Sequence, residues 1–118
     1  MKYFSIISPL ESEYFTTVRL TTGGVCALAD FDVESTEDFK VCVTESLLIL
    51  KRNGYQSARI EFSFEEKLSC RVVGKQKTGA AEENVEDEIS FALLNALLQS
   101  VVFEKDAEGK VSAIAFEN

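Results

Sequence analysis

Between Ser35 and Gly54 the sequence describes a helix with almost no polar side. Ser35-x-x-Asp38 resembles a capping box, Lys51-Arg52 suit a helix C-terminus, and Asn53-Gly54 supply a left-handed stop. Within these limits Phe39, Cys42, Val43, Leu47, Ile49 and Leu50 leave the segment apolar nearly all round. A helix of that kind must be covered by other elements rather than lie on a surface. The chain has 118 residues, enough for one compact domain and too few for two, so residues 1–118 read as a single domain built around this helix.

The flanking segments supply the cover. Ala58, Ile60, Phe62 and Phe64 alternate with Arg59, Glu61, Ser63 and Glu65, which predicts a half-buried strand. Glu65-Glu66-Lys67 turns the chain, and Leu68, Cys70 and Val72 continue the inward face of a second strand. Residues 74–83, polar and glycine-containing, read as a loop. Asn84-x-x-Asp87 then opens a third helix with Ile89, Leu93, Ala96, Leu97 and Val101 on one stripe. A hairpin pairs 101–105 with 110–116 across Asp106-Ala107-Glu108-Gly109.

Upstream, residues 2–7 are rich in aromatic and β-branched types and predict a short strand. Ser8-Pro9-Leu10-Glu11 reads as an N-cap, a proline at the first helical position and a capping-box glutamate. Tyr14, Val18, Thr21, Val25 and Leu28 follow at helical spacing, and Gly23-Gly24 predicts a bend or a close packing contact. The order β-α-α-β-β-α-β-β gives a two-layer α/β (α+β) sandwich. Its sheet is expected to be mixed, mainly antiparallel, and covered on one face by three helices.

Charge and composition narrow the functions. Twelve Lys and Arg against 20 Asp and Glu give a net charge of −8, which a phosphate backbone repels, so no nucleic acid is expected as a partner. The chain has no histidine, which removes Ser-His-Asp and Cys-His catalysis and every His-containing zinc site. Its three cysteines, Cys26, Cys42 and Cys70, form no C-x-x-C pair and read as small hydrophobes in a reduced interior. No apolar run approaches the length of a membrane span and the first residues lack a signal-peptide core, so a cytoplasmic protein without a membrane partner is expected.

Glu45 is the most informative single position. Its helical neighbours at i−4, i−3, i+3 and i+4 are Val41, Cys42, Leu48 and Ile49, all apolar. A carboxylate on an apolar stripe is costly without a partner or a cavity. It reads either as a general base or metal-linked carboxylate lining a pocket, or as an edge residue that reaches solvent or pairs with Arg or Lys.

The stretch Asp38-Phe39-Lys40-Val41-Cys42-Val43-Thr44-Glu45-Ser46-Leu47-Leu48-Ile49 resembles the N-box helix of the bacterial anti-sigma factor serine kinases, members of the GHKL ATPase superfamily with a histidine kinase-like ATPase fold. Val18-Arg19-Leu20-Thr21-Thr22-Gly23-Gly24-Val25 resembles the first helix of that family, and Leu93-Leu94-Asn95-Ala96-Leu97-Leu98-Gln99-Ser100-Val101 with the following hairpin resembles its last helix and final strands. The resemblance covers nearly the whole chain in order. It implies a role in transcription regulation, with sigma factors or small anti-anti-sigma (STAS) domains as partners and self-association as a homodimer. It also marks Arg19 as an interface candidate.

The nucleotide positions depart from the family pattern. Glu45 keeps the N-box glutamate, but Ile49 stands where the family has the Asn that holds Mg²⁺, and isoleucine offers a hard cation no oxygen. Gly74-Lys75-Gln76 replaces the D-x-G whose Asp binds adenine, and Glu88-Ile89-Ser90 replaces the glycine-rich start of the last helix. Glu82, Glu83, Glu86, Asp87 and Glu88 crowd the segment that would meet a polyphosphate. The expectation is a degenerate member, a pseudo-kinase without cofactor or metal, acting as a regulatory protein-binding domain. The alternative is an ATP- and Mg²⁺-dependent serine/threonine kinase acting on a STAS partner, with Glu45 as base and contacts from Thr44, Lys75 or Thr78. A third reading is a small-molecule binder with the old cleft lined by Leu48, Ile49 and Phe62.

Overall fold

The computed structural model describes residues 2–78 and 85–117. The chain runs β1 (Lys2–Pro9), α1 (Ser12–Leu28), α2 (Val33–Arg52), β2 (Tyr55–Phe64), β3 (Leu68–Lys77), α3 (Val85–Leu97), β4 (Ser100–Lys105) and β5 (Val111–Glu117). This is an α+β fold with a five-stranded sheet in the order β1-β2-β3-β5-β4. Every neighbouring pair is antiparallel, so the sheet has no parallel component where a mixed one was expected. Each strand pair except β3–β5 and β1–β2 closes through a tight turn, which only antiparallel pairing permits.

The helix that dominates the sequence dominates the core. Phe39, Cys42, Val43, Leu47, Ile49 and Leu50 of α2 are all buried. They meet the alternate residues Ala58, Ile60 and Phe62 of β2 and Leu68, Cys70 and Val72 of β3, so the helices cover one sheet face. Full burial of each such side chain is worth roughly 1.5–3 kcal/mol, and Phe39 packs between the rings of Phe31 and Phe116. α1 packs on α2 and β1, and α3 on α2 and β4.

Five local expectations are corrected. Pro9 is the last residue of β1, an edge strand, where its missing N–H is tolerated; α1 starts at Ser12 with Glu11 as an N-cap that makes no side-chain bond. The cap of α2 is Asp32, whose Oδ1 accepts the Ser35 N–H at 2.7 Å, rather than Ser35 itself. The buried stripe of α1 is Phe15, Val18, Thr22, Val25 and Cys26, leaving Leu28 exposed, and α3 buries Ser90 and Leu94 while Ile89 and Leu93 are exposed. Gly74, Lys75 and Gln76 continue β3 instead of starting a loop; residues 79–83 of that expected loop, and Asn84, lie outside the described residues.

Other expectations hold. α1 is unbroken at Gly23-Gly24, and Gly23 is the close-packing position: a Cβ there would stand 2.9 Å from Cε of Lys40 on α2. α2 stops at Asn53, with Gly54 at φ 91°, and the Asn53 amide donates to the Val111 carbonyl at 3.1 Å. Among the described residues no helix is long and apolar enough to cross a membrane.

Candidate functional site

Glu45 and Arg52 lie seven residues apart on α2, which places them on one stripe of the helix. Asp87 and Ser90 lie three apart on the first turns of α3 and occupy the facing stripe. These four side chains close a polar chain between the two helices. The Arg52 guanidinium donates from Nε to Asp87 Oδ1 at 2.5 Å and from Nη2 to Ser90 Oγ at 2.7 Å. Ser90 Oγ in turn donates to Glu45 Oε2 at 2.7 Å. Every distance is short because at least one partner in each contact is ionised.

Burial gives the chain its weight. Ser90 is 2% exposed, and the Arg52 and Asp87 side chains are 14% and 16% exposed. Inside that environment the Ser90 hydroxyl has a forced role: it accepts from the cation and can only donate to the anion, which fixes its rotor. Glu45 is therefore bonded to the Ser90 hydroxyl, which in turn accepts from Arg52. Asp87 at the start of α3 also sits favourably against that helix's positive end.

The remaining sequence candidates are not gathered around this carboxylate. Ile49, one turn beyond Glu45, is fully buried in the core, as is Phe62, while Leu48 is half-buried against it. Gly74 lies opposite Ala58 in the β2–β3 ladder, and the Tyr55 ring covers it; a Cβ at Gly74 would meet that ring at 2.6 Å. Glu88 and Arg19 are exposed on α3 and α1. The Thr44 hydroxyl is turned back onto the Lys40 carbonyl at 3.0 Å, Lys75 is exposed, and the Thr78 N–H donates to the Gly54 carbonyl at 3.0 Å. Glu82 and Glu83 lie outside the described residues, as does the Glu86 side chain.

Sequence reasoning saw Arg52 only as a helix-end cation, and Asp87 as part of a cap and of the acidic group at the start of the last helix. The usable signal was the pairing of two spacings, Glu45 with Arg52 and Asp87 with Ser90, on helices that both needed a cover.

On the opposite sheet face a shallow basin of about 510 Å³ opens over Tyr3, Glu61, Ser63, Arg71, Val102 and Glu117. None of the sequence candidates lines it. Its one guanidinium is already engaged: Arg71 donates to both Glu104 oxygens at 2.8 Å and to Glu61 at 3.4 Å, and its hydrogen bonds hold the Glu104 carboxyl below the usual carboxylate range.

The three cysteines are buried and free. Burial pushes the Cys26 thiol up to about 11 and Cys42 up to about 12, and raises Cys70 well above its ordinary value, so none is a nucleophile at neutral pH. Among the described residues no three His, Cys, Asp or Glu side chains come together to hold a metal ion. Compared with models of known protein families the chain matches none, and compared with curated proteins it matches none.

Proposed function

We propose that this chain is a regulatory, protein-binding domain of the anti-sigma type with a histidine kinase-like ATPase fold, and that it neither binds nucleotide nor transfers phosphate. The observation that carries this reading is the Glu45–Ser90–Arg52–Asp87 chain. In the family it resembles, the N-box glutamate and the start of the last helix face the nucleotide. Here those two positions, Glu45 and Ser90, are bonded to each other and to a cation supplied by the same chain.

The other positions support the same reading. Ile49 puts a buried hydrocarbon where a Mg²⁺ ligand would be needed. Gly74 is covered by Tyr55, which leaves no room for a side chain that would read adenine. The residues at these positions do not suit Mg²⁺-ATP. With Ile49 and Phe62 closed inside the core, they do not line a small-molecule cleft either.

A protein partner fits better. The net charge of −8 favours encounter with a basic surface, and the exposed Arg19 on α1 is an interface candidate. By resemblance the partner is a sigma factor or a STAS-domain antagonist, bound in the cytoplasm.

Calorimetry with ATP and ADP, with and without Mg²⁺, tests the first half of this reading, and nucleotide-free binding to sigma factors and STAS domains of the native host tests the second. No heat at millimolar nucleotide, together with saturable partner binding, is the expected result. Micromolar, Mg²⁺-dependent binding would overturn it in favour of the kinase alternative, and Glu45→Ala would then be the next variant.

A further inference from the structure

One edge of the sheet is defended and the other is open. β4, at one edge, is six residues long, carries Glu104 and Lys105, and breaks register between them. Short length, charge and a bulge are the ordinary devices that keep an edge strand from pairing further. β1, at the other edge, runs eight residues in unbroken register with β2. Its one charge and its one proline, Lys2 and Pro9, stand at its two ends.

The direction of its backbone groups follows from one bond. Leu10 comes next after Pro9 in the β1–β2 register and donates its N–H to the Gln56 carbonyl at 2.8 Å. In an antiparallel ladder, residues bonded to the neighbouring strand alternate with residues whose N–H and C=O point away. Even-numbered residues of β1 therefore bond to β2, and Tyr3, Ser5 and Ile7 turn their backbone groups outward from the end of the sheet.

The side chains along this edge define what an added strand would need. On the core face Phe4, 45% exposed, tilts against Phe62, and Ile6 beside it is half-buried, so a strand beyond β1 meets hydrocarbon there. On the other face Ser5 stands next to Glu61 of β2, and Ile7 next to Arg59. Arg71 gives Glu104 two bonds at 2.8 Å and reaches Glu61 only at 3.4 Å, so Glu61 is the less compensated of the two carboxylates. Ser5 is too small to screen it. A residue across Ser5 lies two strand spacings from Glu61, about 10 Å, which the long stem of a lysine or arginine and the glutamate side chain span together. Across Ile7, Arg59 opposes a cation instead.

We propose that β1 takes up an extended segment of another protein by antiparallel strand addition. The segment alternates, with apolar residues over Phe4 and Ile6 and a lysine or arginine across Ser5 directed at Glu61. Main-chain bonds to Tyr3, Ser5 and Ile7 supply the affinity, and the alternating side chains supply the selectivity. A second copy of this chain suits this edge poorly. The centre of β1 has no cation to offer Glu61, and two chains of net charge −8 repel. The inference stands apart from the regulatory reading, because it uses only the edge strand and one carboxylate.

Amide-resolved NMR of the full chain, titrated with the capped peptide Ser-Thr-Val-Lys-Val-Thr-Ser, tests it. Saturable binding with a dissociation constant of about 0.1–1 mM is expected for so short a strand. The amides of Tyr3, Ser5 and Ile7, which face solvent in the free chain, should gain protection from hydrogen exchange. N-methylation of the peptide at its lysine and both threonines should abolish binding, because those amides face β1, whereas N-methylation at both valines should spare it. Ser5→Pro removes an outward N–H and none of the bonds to β2, and should weaken binding at least about tenfold. The methylated peptides need no change to the protein and carry the test if that variant fails to fold.

Replacing the peptide lysine by norleucine should weaken binding about threefold, and Glu61→Gln should erase that difference. The proposal is overturned if about 5 mM peptide leaves the Tyr3, Ser5 and Ile7 amides unmoved. It is equally overturned if both methylation patterns act alike, or if the lysine and norleucine peptides bind the wild type equally. A chain that dimerises in sedimentation and loses the dimer on Ser5→Pro would also overturn it, by assigning the edge to a second copy.

Discussion

Truncating Arg52 should release α3 from α2. Its guanidinium holds Asp87 at 2.5 Å and Ser90 at 2.7 Å, and through Ser90 it fixes Glu45. Arg52→Ala leaves Asp87 and the Ser90–Glu45 pair at a mostly buried helix interface without the cation that links them. Breaking a buried pair costs about 3–5 kcal/mol, and the residual exposure of 14% and 16% places this one near the low end, about 3 kcal/mol. With a urea m-value of about 2 kcal/mol/M, the unfolding midpoint falls by about 1.5 M. Arg71 is the natural control: it binds Glu104 through two nitrogens at 2.8 Å, but its side chain is 45% exposed. Arg71→Ala should cost less than about 1 kcal/mol. In an Asp87→Ala background, Arg52→Ala should cost about 1–2 kcal/mol less than alone, because one stranded charge is gone. Equal costs for Arg52→Ala and Arg71→Ala, or an additive cycle with Asp87, would refute the claim that burial gives this network its strength.

Gly74→Ala drives a methyl into the Tyr55 ring and should destabilise by about 1–3 kcal/mol in thermal or urea unfolding, with partial recovery when Tyr55→Ala is added. The thiols of Cys26, Cys42 and Cys70 should resist Ellman's reagent at pH 8 in the native protein, and all should react in guanidinium. Asp32 is held below the usual carboxyl range by the Ser35 N–H, so its contribution is complete above the unfolded carboxyl pKa of about 4 and is lost as pH falls through the folded value. The melting temperature of Asp32→Ala should thus lie below wild type at pH 7, with the gap closing as pH falls below the unfolded carboxyl value of about 4.

The fold was legible wherever pattern and punctuation agreed. α2 and its Asn53-Gly54 stop, the β2–β3 pair and the closing β4–β5 hairpin all follow from periodicity and turn residues. The misses share a cause. In α1 the buried stripe runs through Thr22 instead of Thr21, and in α3 through Ser90 instead of Ile89. Hydropathy cannot tell Thr21 from Thr22 and places Ser90 outside, yet Thr22 satisfies its hydroxyl by donating to the Val18 carbonyl at 2.8 Å, and Ser90 by bridging Arg52 and Glu45. Ser46, buried in α2 and bonded to the Cys42 carbonyl at 2.8 Å, does the same. Each helix can therefore bury a small polar residue and rotate an apolar one outward. Glu45 was legible as a carboxylate in need of a partner; the identity of that partner was not, because it depends on which face α3 presents.

The position of β1 in the chain has a consequence for how the protein assembles. β2 with β3 and β4 with β5 join neighbours across short turns, so both hairpins form from local contacts. β1 meets β2 only after α1 and α2 have been laid down between them. It thus closes the longest loop in the sheet. Chain entropy makes that pairing the last to form and the first to open under native conditions. Amide hydrogens of even-numbered β1 residues should accordingly exchange through a low-energy local opening, while those at the centre of β3 wait for global unfolding. Whenever β1 lifts away, β2 becomes an edge in its place. The N-terminal edge of the sheet is thus also its most loosely tethered strand.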